Sequence, residues 1–148
     1  MSGPDVPAMM AIETQANPSP WRAHDFDAFL ADPGQAGEAA AGGIRRAWVY
    51  ADPEVRGFLC AVAVAGEAEL QAIAVERSRW GRGAGTALME SLLAWTRGQG
   101  ISDIHLEVRE GNQRALDFYA RFGFTVVGKR PRYYQDNGEA AILMKRNC

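Results

Sequence analysis

The sequence predicts an α/β fold, a central mixed β-sheet flanked by helices. Three observations point to this class. Segments with the apolar character of strands are separated by segments with helical periodicity. The run FLCAVAVA is apolar throughout, which is typical of a strand covered on both faces. A glycine-rich turn, WGRGAGTAL, lies between a strand pattern and a helix pattern. Elements that alternate in this way pack as a sheet with helices on its faces.

The elements follow from their apolar patterns in chain order. Two helices come first, followed by an Ala- and Gly-rich loop, three strands, and an alternation of helices and strands. The predicted helices cover 4–16, 23–31, 84–98 and 112–122, and the loop covers 32–43. The predicted strands cover 44–51, 57–66, 67–75, 101–109, 124–134 and 139–146. We expect one domain over residues 1–148, since this length supports one hydrophobic core.

The composition excludes several classes of function. The chain is 47% hydrophobic and 23% charged, and its net charge of −2 gives no reason to expect a nucleic acid or an anionic membrane as partner. No apolar run reaches the roughly 18 residues of a membrane span, and no signal peptide pattern is visible. Cys60 and Cys148 form no disulfide framework, and no Cys/His cluster suggests a metal. We therefore expect a cytoplasmic protein without a metal.

The third strand changes its alternation part-way along. Leu70 is apolar at one parity, whereas Ile73 and Val75 are apolar at the other. A parity change of this kind indicates a β-bulge, since one inserted residue reverses the faces of the side chains that follow. Bulges are frequent beside active sites, which draws attention to this strand.

The glycine-rich turn is a candidate phosphate cradle. Gly81, Gly83 and Gly85 let the backbone approach a ligand. The helix that follows points free N–H groups and the positive end of its dipole at that ligand. Three arginines beside the turn can pair with phosphate: Arg77, Arg79 and Arg82. An ordinary turn before a helix explains the glycines equally well, and the lysine of a P-loop is absent.

The segment LEVREGNQRALDFYARFGF supplies the remaining candidates. Glu107 lies on the polar face of a predicted strand, where it would either pair with Arg109 or His105 or serve as a base. His105 shares that face and is an alternative base. Asn112 suits a helix N-cap. Tyr119 lies on the apolar face of the next helix and suits a core position, although its hydroxyl still needs a partner or water.

Taken together, these motifs resemble the GNAT superfamily of N-acetyltransferases. The resemblance is carried by IAV at 73–75, GRGAG at 81–85, and LEVR-x-x-N-x-x-A-x-x-F-Y-x-x-x-GF at 106–124. A narrower resemblance, to the bacterial ribosomal-protein-alanine N-acetyltransferases, rests on G-x-R-x-x-YY at 128–134 and on an early IE followed by PW. The resemblance covers nearly the whole chain and is densest from 70 to 144.

The resemblance implies a GNAT fold, acetyl-CoA as co-substrate, and direct acetyl transfer to an amine in a ternary complex. The pyrophosphate would take the loop formed by Gly81, Arg82, Gly83, Ala84, Gly85 and Thr86. The pantetheine arm would run beside Ile73, Ala74 and Val75, and Asn112 would contact the co-substrate. Glu107 matches the position of the general base. Tyr119 matches that of the general acid, which would protonate the departing thiolate, and an N–H such as that of Val75 would stabilise the acetyl oxygen.

The narrower resemblance implies that the acceptor is a protein N-terminus, the alanine of a basic small-subunit ribosomal protein. An α-amine is an easier acceptor than lysine because its pKa is about 8 rather than about 10.4, so more of it is neutral and able to attack. Glu13, Glu107 and Glu139 are candidates for an acidic field that attracts a basic peptide. Acetylation of a small-molecule amine or of lysine, and binding of acetyl-CoA without turnover, stay open as alternatives.

The sequence departs from the family pattern in several places. Trp80 stands where the cofactor loop usually begins with Gln or Arg, so Arg79 or Arg82 would compensate for a phosphate contact. Arg132 and Ala140 stand where related sequences often carry a small polar residue and Asp, which bears on the identity of the acceptor. The family's first strand normally precedes the first helix, whereas here a helix pattern begins almost at once. That strand is expected to be absent, or to lie upstream of the first residue.

Overall fold

A mixed seven-stranded sheet organises the part of the chain that the structure describes. The computed structural model describes residues 3–17, 20–27, 29, 38–39 and 43–148. Its helices are α1 (Val6–Ala16), α2 (Ala23–Asp27), α3 (Ala84–Gly98) and α4 (Gln113–Arg121). Its strands are β1 (Glu38–Ala39), β2 (Gly43–Ala51), β3 (Val55–Val64), β4 (Glu67–Val75), β5 (Asp103–Arg109), β6 (Thr125–Arg130) and β7 (Ala141–Asn147). Short 3-10 turns lie at Gly3–Asp5 and Arg77–Arg79.

The sheet has the strand order β1-β2-β3-β4-β5-β7-β6. Every neighbouring pair is antiparallel except β4 and β5, which run parallel. A parallel pair needs a crossover that returns the chain to the same end of the sheet, and α3 provides it. The mixed sheet flanked by helices that the sequence predicts is confirmed.

Strand β3 lies between the two hydrophobic cores. Phe58, Leu59, Cys60 and Ala61 are all fully buried. Because side chains alternate along a strand, Phe58 and Cys60 pack with α1 and α2, whereas Leu59 and Ala61 pack with α3. The prediction that this apolar run forms a strand covered on both faces is therefore confirmed.

The bulge predicted in β4 is present. Cys60 pairs with Ala72, but its neighbour Ala61 pairs with Leu70, so Gln71 is the additional residue on the bulged strand. The insertion lets Leu70 and Ile73 pack against the same core although their sequence parity differs.

Strands β4 and β5 separate part-way along their length. They pair only through Glu67–Asp103, Ala68–Ile104 and Glu69–His105. Beyond these pairs, β4 continues to pair with β3 as far as Val75, and β5 continues to pair with β7 as far as Arg109. The sheet thus has a wedge, the β4–β5 opening, bordered by 71–75 and 106–109. It begins at the bulge.

The N-terminal part agrees with the sequence prediction only in part. Helix α1 is confirmed, whereas the described part of α2 ends at Asp27 and most of the rest of its predicted range lies outside the described residues. Much of the predicted 32–43 loop also lies outside them, and β1 occurs within it. Among the described residues, β1 is the earliest strand and follows both helices, so none precedes α1. Within the same residues, no helix is long and apolar enough to cross a membrane.

Candidate active site

The turn between β4 and α3 presents backbone N–H groups to its surroundings. Gly81 and Gly83 adopt φ values of 74° and 83°, a left-handed conformation that glycine adopts without steric cost. A Cβ added at either position would meet no heavy atom within 4 Å, so the turn has an open surface. Gly83 is the N-cap residue of α3, and no side chain caps that helix. Its first N–H groups are therefore available to an anion.

The third glycine of the turn has a different role. A Cβ at Gly85 would lie 3.3 Å from two ring atoms of Phe118 on α4, so glycine permits the close approach of the two helices. Ala84 is buried beside it, whereas Arg82 and Thr86 are exposed. The contact between Gly85 and Phe118 sets the start of α3 directly against the helix that carries Tyr119.

Trp80 closes the end of β4 next to the glycine turn. Its Nε1 donates a hydrogen bond of 2.8 Å to the carbonyl oxygen of Val75. The guanidinium carbon of Arg114, on α4, lies 3.7 Å from the centroid of the Trp80 ring, and that of Arg77 lies 5.6 Å away. Cation–π contacts with Trp80 thus hold the Arg77 and Arg114 guanidinium groups beside the turn.

The arginines near the turn differ in their partners. Arg79 Nη1 lies 3.6 Å from Asp52 Oδ2, and its Nη2 donates to the Asp52 carbonyl oxygen at 3.4 Å. Its charge is directed to that residue, so of the two arginines expected to compensate at the turn, Arg82 is the one without an ion-pair partner among the described residues. Arg77, Arg82 and Arg114 form no ion pair with any described residue, which leaves their positive charge available to an anionic ligand.

Glu107 borders the β4–β5 opening and is half-buried. Its Oε1 lies 3.5 Å from Arg130 Nη1, and 28% of its side chain is exposed. A hydrogen bond to Glu107, together with the carboxylate charge, raises the pKa of the Tyr133 hydroxyl. The partners of Glu107 are therefore Arg130 and Tyr133, and the simpler interpretation, pairing with Arg109 or His105, is wrong.

Tyr119 lies in the buried core cluster that also contains Leu106 and Val108 of β5. It is 7% exposed, and its ring centroid lies 5.5 Å from that of Phe118 and 5.9 Å from that of Phe124. Burial, and to a lesser extent the nearby Tyr134, raises the pKa of its hydroxyl well above the ordinary value. The group therefore stays protonated at neutral pH and can donate a proton or a hydrogen bond.

Two other candidates have local partners. Asn112 is the N-cap of α4, and its Oδ1 accepts a hydrogen bond of 3.1 Å from the N–H of Ala115, as its predicted capping role requires. His105 Nε2 lies 3.6 Å from Glu67 Oε1, at the end where β4 and β5 are still paired. The histidine thus lies beside the closed part of the sheet, while Glu107 lies beside the open part.

The predicted acidic field does not include Glu13 as an exposed charge. Glu13 is 3% exposed, accepts a hydrogen bond from Asn17 Nδ2 at 2.9 Å, and has a pKa raised by burial. Glu139 accepts a hydrogen bond from the Gly111 N–H, which lowers the pKa of its carboxyl. These two carboxyls are engaged within the fold, and Glu107 is the predicted acid that borders the opening.

Sequence reasoning missed Arg114 and the partners of Arg130 and Tyr134. Arg114 on α4 contacts Trp80 in the turn before α3, and no local sequence pattern predicts such a contact. The tyrosine pair was visible in the sequence, and its rings lie 5.1 Å apart at nearly a right angle. No group of three or more potential metal ligands is found among the described residues.

The sequence matches the acetyltransferase (GNAT) family over residues 6–124. It is 32% identical over 146 residues to the [ribosomal protein bS18]-alanine N-acetyltransferase of Salmonella typhimurium, with 97% of this chain and 92% of the relative covered. It is 42% identical over 81 residues to N-alpha-acetyltransferase RimI of Mycobacterium tuberculosis, with 55% of this chain covered. The chain spans 49% of that relative and 22% of an uncharacterized Mycobacterium leprae protein.

Two solved structures have the same fold as this chain. The ribosomal-protein-S18-alanine N-acetyltransferase from Escherichia coli superposes with a TM-score of 0.83 at 27% identity, covering 99% of this chain and 90% of that chain. Ard1 from Thermoplasma volcanium superposes with a TM-score of 0.82 at 26% identity, covering 99% and 93%.

Proposed function

Because the chain belongs to the GNAT acetyltransferase family, we propose that it transfers an acetyl group from acetyl-CoA to the α-amine of a protein N-terminus. Members of this family are acetyl-CoA-dependent N-acetyltransferases. The proposed acceptor is the alanine of a basic small-subunit ribosomal protein in the cytoplasm, and residues 1–148 act as a single domain. The observation that carries the proposal is the β4–β5 opening, which Glu107 borders and which the uncapped start of α3 adjoins.

Acetyl-CoA fits the residues around the opening. The backbone of 73–75 pairs with β3 on one side only, so its other side can pair with the amides of a pantetheine arm as with an added strand. The free N–H groups after Gly83 and the unpaired Arg82 suit a pyrophosphate. Asn112, at the start of α4, is proposed to contact the co-substrate as well. When bound, acetyl-CoA supplies an activated thioester.

Arg114 is expected to contribute to the binding of acetyl-CoA. Arg114→Ala removes a cation that stacks on Trp80 beside the turn, so the dissociation constant should rise about three- to ten-fold. Titration calorimetry measures this change. The matched control is Arg121→Ala, which removes an arginine from the same helix that stacks instead on Phe118.

The Trp80 contact adds a second test of the same idea. Trp80→Leu should weaken binding to a similar degree, and the double variant should be little worse than either single one, because both changes remove the same contact. Acetyl-CoA should also raise the melting temperature of the unmodified protein, since it binds the folded state. An unchanged affinity in Arg114→Ala would remove this residue from the phosphate site.

The proposed roles of Glu107 and Tyr119 account for every proton in the transfer. The amine nitrogen forms a bond to the acetyl carbon as the C–S bond breaks, and Glu107 accepts the amine's proton through water. Tyr119 donates its proton to the departing sulfur. The N–H of Val75 stabilises the acetyl oxygen while it is negative. Solvent then takes the proton from Glu107 and returns one to Tyr119.

An α-amine suits this arrangement better than a lysine side chain. At neutral pH roughly a tenth of an α-amine is neutral, but less than about a thousandth of a free lysine is. With an α-amine as acceptor, a larger share of the amine is therefore already neutral when it reaches the carboxylate of Glu107. The 32% sequence identity to a [ribosomal protein bS18]-alanine N-acetyltransferase over 97% of the chain favours the same acceptor.

The acceptor is tested with two matched basic peptides. One begins with a free alanine, and the other has the same sequence with a blocked N-terminus and an internal lysine. Mass spectrometry should place acetyl on the α-amine of the first peptide and find the second nearly unmodified. Faster labelling of the lysine, or of polyamines tested in parallel, would replace this acceptor by another amine.

A further inference from the structure

The loop that follows β6 carries the two tyrosines of the site. This 131–140 loop is closed on itself, since the N–H groups of Tyr133 and Tyr134 both lie 3.1 Å from the carbonyl oxygen of Glu139. The N–H of Gly138 donates to the Tyr134 carbonyl oxygen at 2.8 Å. The backbone of the loop is thus internally ordered, but these bonds do not by themselves fix the loop against the rest of the protein.

Arg109, the last residue of β5, attaches the loop to the sheet. Its Nη1 and Nη2 donate to the two carboxylate oxygens of Asp136 at 2.9 and 3.0 Å. Nη1 also lies 3.5 Å from Glu139 Oε1, and the guanidinium carbon lies 3.9 Å from the centroid of the Tyr134 ring. Only 14% of the Arg109 side chain is exposed. A bidentate, largely buried guanidinium holds its partners in a defined geometry, unlike an ordinary surface ion pair.

A second attachment runs from the loop to α4. Glu139 Oε2 accepts a hydrogen bond of 2.6 Å from the N–H of Gly111, the residue before the N-cap Asn112. A Cβ at Gly111 would lie 2.6 Å from the same oxygen, so no larger residue fits there without displacing the carboxylate. The loop is therefore connected both to the strand of Glu107 and to the helix of Tyr119.

The attached loop contacts the proposed reacting groups. Arg130 connects Tyr133 and Glu107, since its Nη1 lies 3.5 Å from Glu107 Oε1 and its guanidinium carbon lies 5.6 Å from the centroid of the Tyr133 ring. The Tyr134 ring lies 5.1 Å from that of Tyr133 and 3.9 Å from the guanidinium carbon of Arg109, and its charge adds to the effect of burial in raising the pKa of the Tyr119 hydroxyl. The position of the loop thus sets where Tyr133 and Tyr134 lie relative to Glu107, the residue that the acceptor amine must reach.

We propose that Arg109 is a positioning residue, which holds the 131–140 loop over the β4–β5 opening and thereby sets the affinity for the acceptor peptide. The inference rests on the proposed function, because the acceptor must enter beside Glu107. Arg109 itself touches neither the acceptor nor the thioester. It acts through Asp136 and Tyr134.

The kinetic test uses Arg109→Ala, Asp136→Asn and their double variant. Each single variant should raise the KM for the alanine peptide about ten-fold, with kcat lowered less than three-fold and the acetyl-CoA dissociation constant unchanged. The double variant should resemble the single ones, since both changes break one contact. Arg109→Lys should recover part of the loss, because a lysine keeps the charge but loses the paired donors.

The matched control is Lys129→Ala. This change breaks another ion pair beside the same loop, Lys129 Nζ to Glu110 Oε1 at 2.6 Å, whose side chains are half-exposed. Its KM should stay within about two-fold of the unmodified value. An unchanged KM in Arg109→Ala, or equal losses in kcat and in acetyl-CoA affinity, would overturn the positioning role.

Hydrogen exchange tests the attachment without any turnover. The amides of Gly111, Tyr133 and Tyr134 should be protected in the unmodified protein and should exchange at least ten-fold faster in Arg109→Ala, but not in Lys129→Ala. Equal exchange in all three proteins would overturn the attachment. If no peptide is acetylated by the unmodified protein, the proposed function and the effect on KM fail together, while hydrogen exchange still decides whether Arg109 holds the loop.

Discussion

Glu107→Gln is expected to lower kcat for a peptide α-amine by about 10²- to 10⁴-fold, the range that general bases contribute. The side chain keeps its shape and can still bond to Tyr133 and Arg130, but it no longer takes a proton from the amine. The affinity for acetyl-CoA should change less than two-fold, because the proposed phosphate and pantetheine contacts lie on β4, α3 and the start of α4. Steady-state kinetics with the alanine peptide and calorimetric titration of acetyl-CoA measure the two quantities.

The control is Glu110→Gln, which removes a carboxylate three positions further along the chain. Glu110 is half-exposed and pairs with Lys129, so its loss should leave kcat within about two-fold. Raising the pH to about 9.5, where most α-amine is already neutral, should reduce the deficit of Glu107→Gln relative to the unmodified protein. A kcat equal to that of the unmodified protein would remove Glu107 from the role of base. His105 would then be the next variant to examine.

Features that depend on local periodicity were predictable from the sequence. The helix over 84–98 and the strand covered on both faces follow from the spacing of apolar residues, because a 3.6-residue repeat and a two-residue repeat have different burial patterns. The bulge was visible for the same reason. Leu70 and Ile73 can face one core only if an additional residue lies between them, and Gln71 is that residue.

Features that depend on the meeting of distant segments were not predictable in this way. The β4–β5 opening arises because pairing stops after Glu69 and His105, and nothing in either strand's own pattern marks that end. Arg109 on β5 contacts Asp136 in the loop that follows β6, and Trp80, in the turn before α3, contacts Arg114 on α4. Such contacts depend on how elements pack, which a periodicity within one element does not encode.

Tyr119 is compatible both with a core position and with the proposed role of general acid. Its place on the apolar face of a helix predicts a core residue, and the structure buries it among Phe118 and Phe124. The same burial raises the pKa of the hydroxyl, which keeps the proton on the oxygen at neutral pH. A protonated hydroxyl is what the proposed transfer requires of a group that donates to the departing sulfur. The core position and the proposed acid role are therefore compatible.

Tyr119→Phe is accordingly expected to lower kcat about 10²-fold while leaving the acetyl-CoA dissociation constant unchanged. The melting temperature should change by less than about 2 °C, because no described residue hydrogen-bonds the hydroxyl and its removal leaves no buried partner unsatisfied. Steady-state assays of thiol release give kcat. Titration calorimetry gives the affinity, and scanning calorimetry gives the melting temperature.

The comparison that decides this prediction is with Tyr50→Phe. Tyr50 lies on β2, packs against the core cluster that contains Tyr119, and is distant in the sheet from β5, so it reports the general cost of removing one tyrosine hydroxyl. If Tyr119 donates the proton, kcat falls only in Tyr119→Phe, and a solvent isotope effect on the unmodified enzyme becomes smaller in that variant. Equal kcat in Tyr119→Phe and the unmodified protein would assign the proton to solvent and leave Tyr119 as a core residue alone.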